Sequence, residues 1–221
     1  MKSLLTINPL EFVQAVEPLL ESRDLSGLLS LIKSRWTAEQ IVEILTCSQE
    51  DARKVASLAL SLVGCNHCLP ALAKQLKDPD PMVNQLAEHA MWSIWFRGGS
   101  AEANHQVCRG AEAIGRGDHE HAILHFNKAL QINPKFSEAY NQRAIAHFLL
   151  ERYDASILDC ETAVELMPIH FGAWAGMGHC HAHQGEFCKA VEFYRRALSI
   201  NPHMAQIREA IDQLKSQINV V

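Results

Sequence analysis

Pro134, Pro168 and Pro202 stand 34 residues apart, and the segments 103–136, 137–170 and 171–204 that contain them align without a gap. A unit of that length holds one pair of helices, too little to bury its own apolar face, so successive units must stack against each other. Each proline lacks the amide hydrogen that a continuing helix needs and so closes its unit. No other feature of the chain narrows its possible folds as far.

The matched positions have physical reasons. Ala129, Ala163 and Ala197 share one site, where a small side chain lets neighbouring helices approach. Phe126 and Tyr194 place a large ring at another, with Cys160 in the middle unit. Tyr140 and Trp174 begin first helices, Gly110 and Gly178 follow four residues after the equivalent sites, and Ala122 and Ala190 open second helices. Gly117 and Gly185 mark the turns between paired helices. This pattern resembles the tetratricopeptide repeat family over about half the chain. Unit one departs from it at Gln106, the usual aromatic site, and at Arg109, an apolar one. Beyond Pro202, Ile207, Ile211, Leu214 and Ile218 at helical spacing predict a solvating cap over 205–221.

A shorter period runs through the first hundred residues. Moving 48–63 by 31 lays it on 79–94, pairing Val55 with Leu86, Ala56 with Ala87, Ala59 with Ala90 and Leu60 with Met91. Leu45 pairs with Leu76 in the preceding helix. The stretch LPALAKQLKDPDPMVNQLAEHAMWSI resembles a HEAT-type repeat, with Pro9, Pro18 and Thr37 opening or interrupting helices before it. Between the arrays Gly98 and Gly99 stop a helix ending near Phe96, and Ser100 caps the next. The expected organisation is therefore a HEAT-like domain over 1–97, a junction over 98–102, three tetratricopeptide units over 103–204 and a capping helix over 205–221. As a fold this is all-α, a right-handed α-solenoid of stacked antiparallel helix pairs.

Charge and composition remove several functions. Lys and Arg number 9 against 11 acidic residues up to residue 100, and 11 against 14 beyond it, so neither half offers a basic surface to nucleic-acid phosphates. Asn8, Pro9 and Glu11 interrupt the opening MKSLLTINPLEF, and no window approaches the ~20 apolar residues that span a bilayer, so no membrane insertion is expected. Seven cysteines among Ala, Val and Leu read as reduced thiols of a cytoplasmic protein. The sequence holds no Gly-rich phosphate loop, His-Glu-x-x-His or Gly-x-Ser-x-Gly. No cofactor is expected, and an enzymatic reading as a bilin lyase would rest on fold analogy with some HEAT-like repeats alone.

The resemblance to tetratricopeptide repeats implies that first helices line a concave groove for a protein partner. Carried across, the groove residues are Asn104, Val107, Cys108 and Ala111, then Glu138, Asn141, Gln142 and Ile145, then Gly172, Ala175, Gly176, His179 and, one turn on, His183. One subtype of the family grips a chaperone's C-terminal carboxylate with Lys, Asn and Arg. Val107, Gly172 and Gly176 occupy the cationic places here, so such a clamp is not expected. The implied function is a non-catalytic adaptor or scaffold that binds a partner peptide or helix, with Asn141, Gln142 and His179 as polar anchors. Two alternatives stand beside it, homo-oligomeric assembly through the terminal helix or the groove, and a His-rich metal or small-ligand module.

Ten of the twelve histidines follow residue 100, and His121/His125 and His179/His183 each sit four apart with chelating spacing. Neither pair has a carboxylate or thiol nearby in sequence that completes a ligand set, so no metal is assigned. A pH-dependent partner contact fits histidine better. Cys65-Asn66-His67-Cys68 is the one C-x-x-C; it lacks the βαβ context of a redox motif and a second ligand pair for zinc, and reads as two half-buried cysteines at a turn.

Overall fold

The computed structural model describes residues 7–218, the side chain of Ile218 excepted. The start of the opening stretch, residues 1–6, and the end of the expected cap, 219–221, lie outside the described residues, as does the apolar contact expected of Ile218. The described residues form thirteen α-helices, one 3-10 turn and no strand. They fall into two compact units divided between Trp95 and Phe96.

The first unit contains α1 (Pro9–Glu21), α2 (Leu25–Arg35), α3 (Ala38–Ile44), α4 (Glu50–Val63), a 3-10 turn (Asn66–Cys68), α5 (Leu69–Gln75) and most of α6 (Pro81–Phe96). Pro9 opens α1 behind the Asn8 cap, and Thr37 with Gln40 forms a reciprocal capping box at the head of α3. Pro18 is carried inside α1 rather than ending it. Residues paired by the 31-residue shift share their burial: Ala56 with Ala87, Ala59 with Ala90 and Leu60 with Met91 are all buried, while Val55 and Leu86 are half-buried. The Asp78-Pro79-Asp80 turn is tied to α4, because Arg53 holds both Asp78 oxygens at 2.7 and 3.0 Å and Lys54 reaches Asp80 at 2.9 Å. Asp80 in turn caps α6 by accepting from the Met82 and Val83 amides.

The second unit is an α-solenoid of helix pairs: α7 (Ala101–Gly115) with α8 (His119–Ile132), α9 (Ser137–Leu149) with α10 (Tyr153–Leu166), and α11 (Phe171–His183) with α12 (Phe187–Ile200). The second helices begin at 119, 153 and 187, in step with the prolines. Ser100 caps α7 by accepting from the Ala103 amide, as its position before the apolar run requires. Gly117 and Gly185 take φ of +77° and +76°, the left-handed conformation that ends a helix where a Cβ would be strained. At the equivalent place in the middle pair the chain uses Glu151, at φ +58°.

Close packing explains the alternation of glycine and ring. A Cβ on Gly110 would lie 2.3 Å from the Phe126 ring, and one on Gly178 would lie 2.4 Å from the Tyr194 ring. Both rings are buried in the resulting notches. In the middle pair the same two places hold Ala144 and Cys160, a larger notch residue facing a smaller filler. The last helix, α13 (Ala205–Ile218), lays Ile207, Ile211 and Leu214 onto a core containing Val191, Tyr194 and Ala197. Ile207, Ile211 and Leu214 are therefore covered within the chain.

Candidate functional site

The first helices of the second and third pairs, α9 and α11, carry most of the residues that the sequence singles out. At the head of α9, Glu138 is fully buried. His170, also fully buried, caps α11 by accepting from the Ala173 amide at Nδ1, so its proton sits on Nε2 and is donated to Glu138 Oε2 at 2.8 Å. Gln142 donates to Glu138 Oε1 at 2.7 Å, and the Asn141 amide lies 3.4 Å from both oxygens. The carboxylate is thus supplied with donors from its own helix and from the cap of α11, the condition under which a buried charge is tolerated. Asn141 and Gln142, at 3% and 8% exposure, spend their amides on Glu138. These bonds run along α9 to a residue of the same helix, so the two amides are engaged with Glu138 rather than offered to a partner.

Val107 is likewise fully buried, in the core of the first pair, so its side chain cannot meet a partner. Asn104 closes the junction: its amide donates to the Gly99 and Arg97 carbonyls and its oxygen accepts from the Gly99 amide. Gly176 faces α10, since a Cβ there would lie 2.9 Å from Cys160 Sγ, while Gly172 is half-buried.

What remains at the surface is a stripe one turn apart on each helix. Ile145 and Leu149 on α9 are 38% and 43% exposed, and His179 and His183 repeat their places 34 residues on in α11, both exposed. The imidazoles are set in an aromatic cluster drawn from four helices. His183 stacks on Tyr153 with centroids 5.3 Å apart and meets the edge of Phe148 at 5.1 Å, and His179 lies 5.2 Å from the Tyr194 ring. The Tyr194 hydroxyl is 2.8 Å from His179 Nδ1. Desolvation of the ring where it packs on Phe148 and Tyr194, and then the neighbouring His183, hold His179 below the usual histidine range even though the residue reaches solvent, so a neutral Nδ1 accepts from Tyr194. Burial pushes the Tyr194 phenol up to about 12, which keeps it a donor. Phe148, Tyr153 and Tyr194 were not among the expected groove residues; their proximity depends on helix stacking that spacing within one helix does not reveal.

The second histidine pair is also engaged locally. His121 contacts Asp118 at 2.9 Å and His125 contacts Gln106 at 2.8 Å. Among the described residues neither pair joins a group of three metal-capable side chains. Cys65 is exposed and Cys68 buried, rather than both half-buried.

Comparison with known proteins supports the repeat assignment. Family models for the tetratricopeptide repeat match residues 110–136, 137–170 and 172–204, so the C-terminal half carries tetratricopeptide repeats. Sperm-associated antigen 1 of Rattus norvegicus is 30% identical over 116 residues, which is 52% of this chain and 13% of that protein. Small glutamine-rich tetratricopeptide repeat-containing protein 2 of Saccharomyces cerevisiae is 31% identical over 100 residues, 45% of this chain and 29% of its own length. The chain thus spans less than a third of either relative. Among solved structures, the first tetratricopeptide domain of Spaghetti (RPAP3) bound to the Hsp90 peptide SRMEEVD superposes with a TM-score of 0.53 at 21% identity, covering 54% of this chain and 95% of that one. The TPR2B domain of yeast Sti1 in complex with an Hsp70 peptide gives 0.51 at 21% identity, covering 53% and 99%. Among the described residues no helix is long and apolar enough to cross a membrane.

Proposed function

We propose that the protein is a non-catalytic cytoplasmic adaptor that holds a peptide or helix of a partner protein against α9 and α11, and that the first unit is built of HEAT-like pairs. The carrying observation is the exposed stripe of Ile145 and Leu149 beside His179 and His183, in repeats whose other first-helix side chains are largely buried. Two exposed aliphatic side chains flanked by polar rings suit an apolar segment of a partner. The peptides bound by RPAP3 and Sti1 support a peptide as ligand. Val107, Gly172 and Gly176 at the cationic clamp places argue that recognition here is apolar and not directed at a terminal carboxylate.

The test compares wild type with an Ile145→Glu/Leu149→Glu variant in pull-downs, alongside titration of the peptide SRMEEVD. Proteins retained by wild type and lost from the folded variant, with the peptide binding no tighter than about 1 mM (about −4 kcal/mol), are the expected results. Micromolar binding of SRMEEVD unchanged in the variant would overturn the apolar reading.

A further inference from the structure

Away from the repeats, the turn between α4 and α5 collects three metal-capable side chains. Gly64 ends α4 in a place where a Cβ would lie 2.5 Å from the Leu60 carbonyl oxygen and 2.8 Å from Ile94, so the chain leaves the helix there without a side chain. Cys65 is extended, and the 3-10 turn that follows is closed by the Cys68 amide donating to the Cys65 carbonyl at 2.8 Å. The turn folds the short Cys65–Cys68 segment back on itself: one donor atom from each of Cys65, His67 and Cys68 lies within 4.8 Å of the others.

The orientation of His67 is the second observation. Its Nδ1 is 3.0 Å from Cys65 Sγ, while its Nε2 is 2.7 Å from Oε1 of Glu39, which stands in the first turn of α3. The carboxylate accepts a hydrogen bond from the Nε2–H, which leaves the Nδ1 lone pair facing Cys65 Sγ. A carboxylate on the far nitrogen is the usual partner of a metal-ligating imidazole, fixing its tautomer and raising its basicity.

We propose that Cys65, Cys68 and Nδ1 of His67 bind a zinc-like divalent cation, with Glu39 orienting the histidine and solvent completing a four-coordinate site. Two thiolates and an imidazole suit a borderline-soft ion and not magnesium or calcium. Bond lengths of about 2.3 Å to sulfur and about 2.0 Å to nitrogen in a tetrahedron place ligand atoms roughly 3.5 Å apart. The present donor atoms, within 4.8 Å of one another, differ from that spacing by no more than about 1.5 Å. Because Cys68 is fully buried and Glu39 lies in another helix, the ion would fasten the start of α5 to α3.

The experiment uses the full chain, untagged, reduced and stripped of metal, titrated with Co²⁺ and then Zn²⁺. Expected are one Co²⁺ per chain, sulfur-to-cobalt charge-transfer absorption with tetrahedral visible bands, displacement by one Zn²⁺, and a higher melting temperature with the ion. Cys65→Ser, at an exposed position that leaves the core intact, should remove about half of the charge-transfer intensity, His67→Gln should weaken binding strongly, and Glu39→Gln should weaken it about 10- to 100-fold. Cys68→Ser tests the buried ligand but can also unfold the unit, so the decision rests on the exposed residues. Cobalt bands that survive Cys65→Ser and His67→Gln would place the ion elsewhere and overturn the site. So would no stoichiometric uptake, or a Cys65–Cys68 disulfide in protein alkylated as the cells are opened.

Discussion

The middle repeat and the two that flank it have the same backbone plan and close it by different means. The outer pairs wedge a ring into a glycine notch, Phe126 against Gly110 and Tyr194 against Gly178. The middle pair has Ala144 and Cys160 at those places and is braced by polar side chains instead. Arg143 holds both oxygens of Asp159 at 2.8 and 2.6 Å and donates to Asn127 at 2.6 Å, which joins α8, α9 and α10. Ser156 donates to the Ala144 carbonyl and accepts from the Cys180 thiol, joining α9, α10 and α11. An end repeat has one repeat neighbour and fills more of its core with its own ring, whereas a central one can be held from both sides. A repeat position therefore specifies a volume to be filled, and different chemistry can fill it.

Removing the outer wedges tests this most severely. Phe126→Ala and Tyr194→Ala should each cost about 3–5 kcal/mol in chemical denaturation, while Cys160→Ala costs about 1 kcal/mol. Equal losses at all three places would break the contrast. Next is the polar brace: Glu138→Ala strands His170 and Gln142 donors in the core and should cost about 2–4 kcal/mol. The loss should fall to near zero when His170 and Gln142 are also replaced by apolar residues, a double-mutant-cycle reading. At the notch itself, Gly110→Ala should cost about 1–3 kcal/mol through overpacking. Ala144→Gly, the reverse change in the middle repeat, should cost only about 0.5–1 kcal/mol through backbone entropy.

Acid gives a smaller and graded effect. Burial, against the opposing pull of the Asp159 carboxylate and helped by Arg143 and Arg152, holds His147 below the usual histidine range, and desolvation of its packed ring does the same to His179. The unfolded chain then binds more protons than the folded one, so stability falls as the pH drops below about 6.5 and levels off below the folded values. Denaturation midpoints at pH 7.5 and 5.5 should differ, and a His147→Gln/His179→Gln variant should show a shallower dependence. Last, Glu151→Gly should raise stability by about 0.5–1 kcal/mol, since relief of a left-handed residue outweighs the entropy of glycine; no gain would mean that Glu151 is unstrained.

Local punctuation and periodicity were legible in the chain, and contacts between repeats were not. The prolines, Ser100, Gly117 and Gly185 mark boundaries because each acts on its own backbone, and the alanine and ring positions mark the core because the same volume recurs. Asn141 and Gln142 were read as groove anchors, although they stand three and four residues after Glu138 on α9, a spacing that lets its carboxylate engage their amides. His170, 32 residues from Glu138, has no counterpart in the repeat pattern that would link the two. Glu39 lies 28 residues from His67 and was invisible for the same reason. Val107 sits at a position that the family lends to the groove, yet an unshielded valine gains more from the core than from solvent.

The depth at which the cysteines sit makes the chain a recorder of its own opening. Cys160 and Cys180 are buried in the second and third pairs, with burial holding both thiols above their usual range, whereas Cys108 on α7 and Cys188 on α12 face solvent. An alkylating reagent consumes the outer two at once and reaches the inner two only when a helix pair parts. The ratio of those labelling rates counts, with no engineered label, how often the middle and last repeats separate.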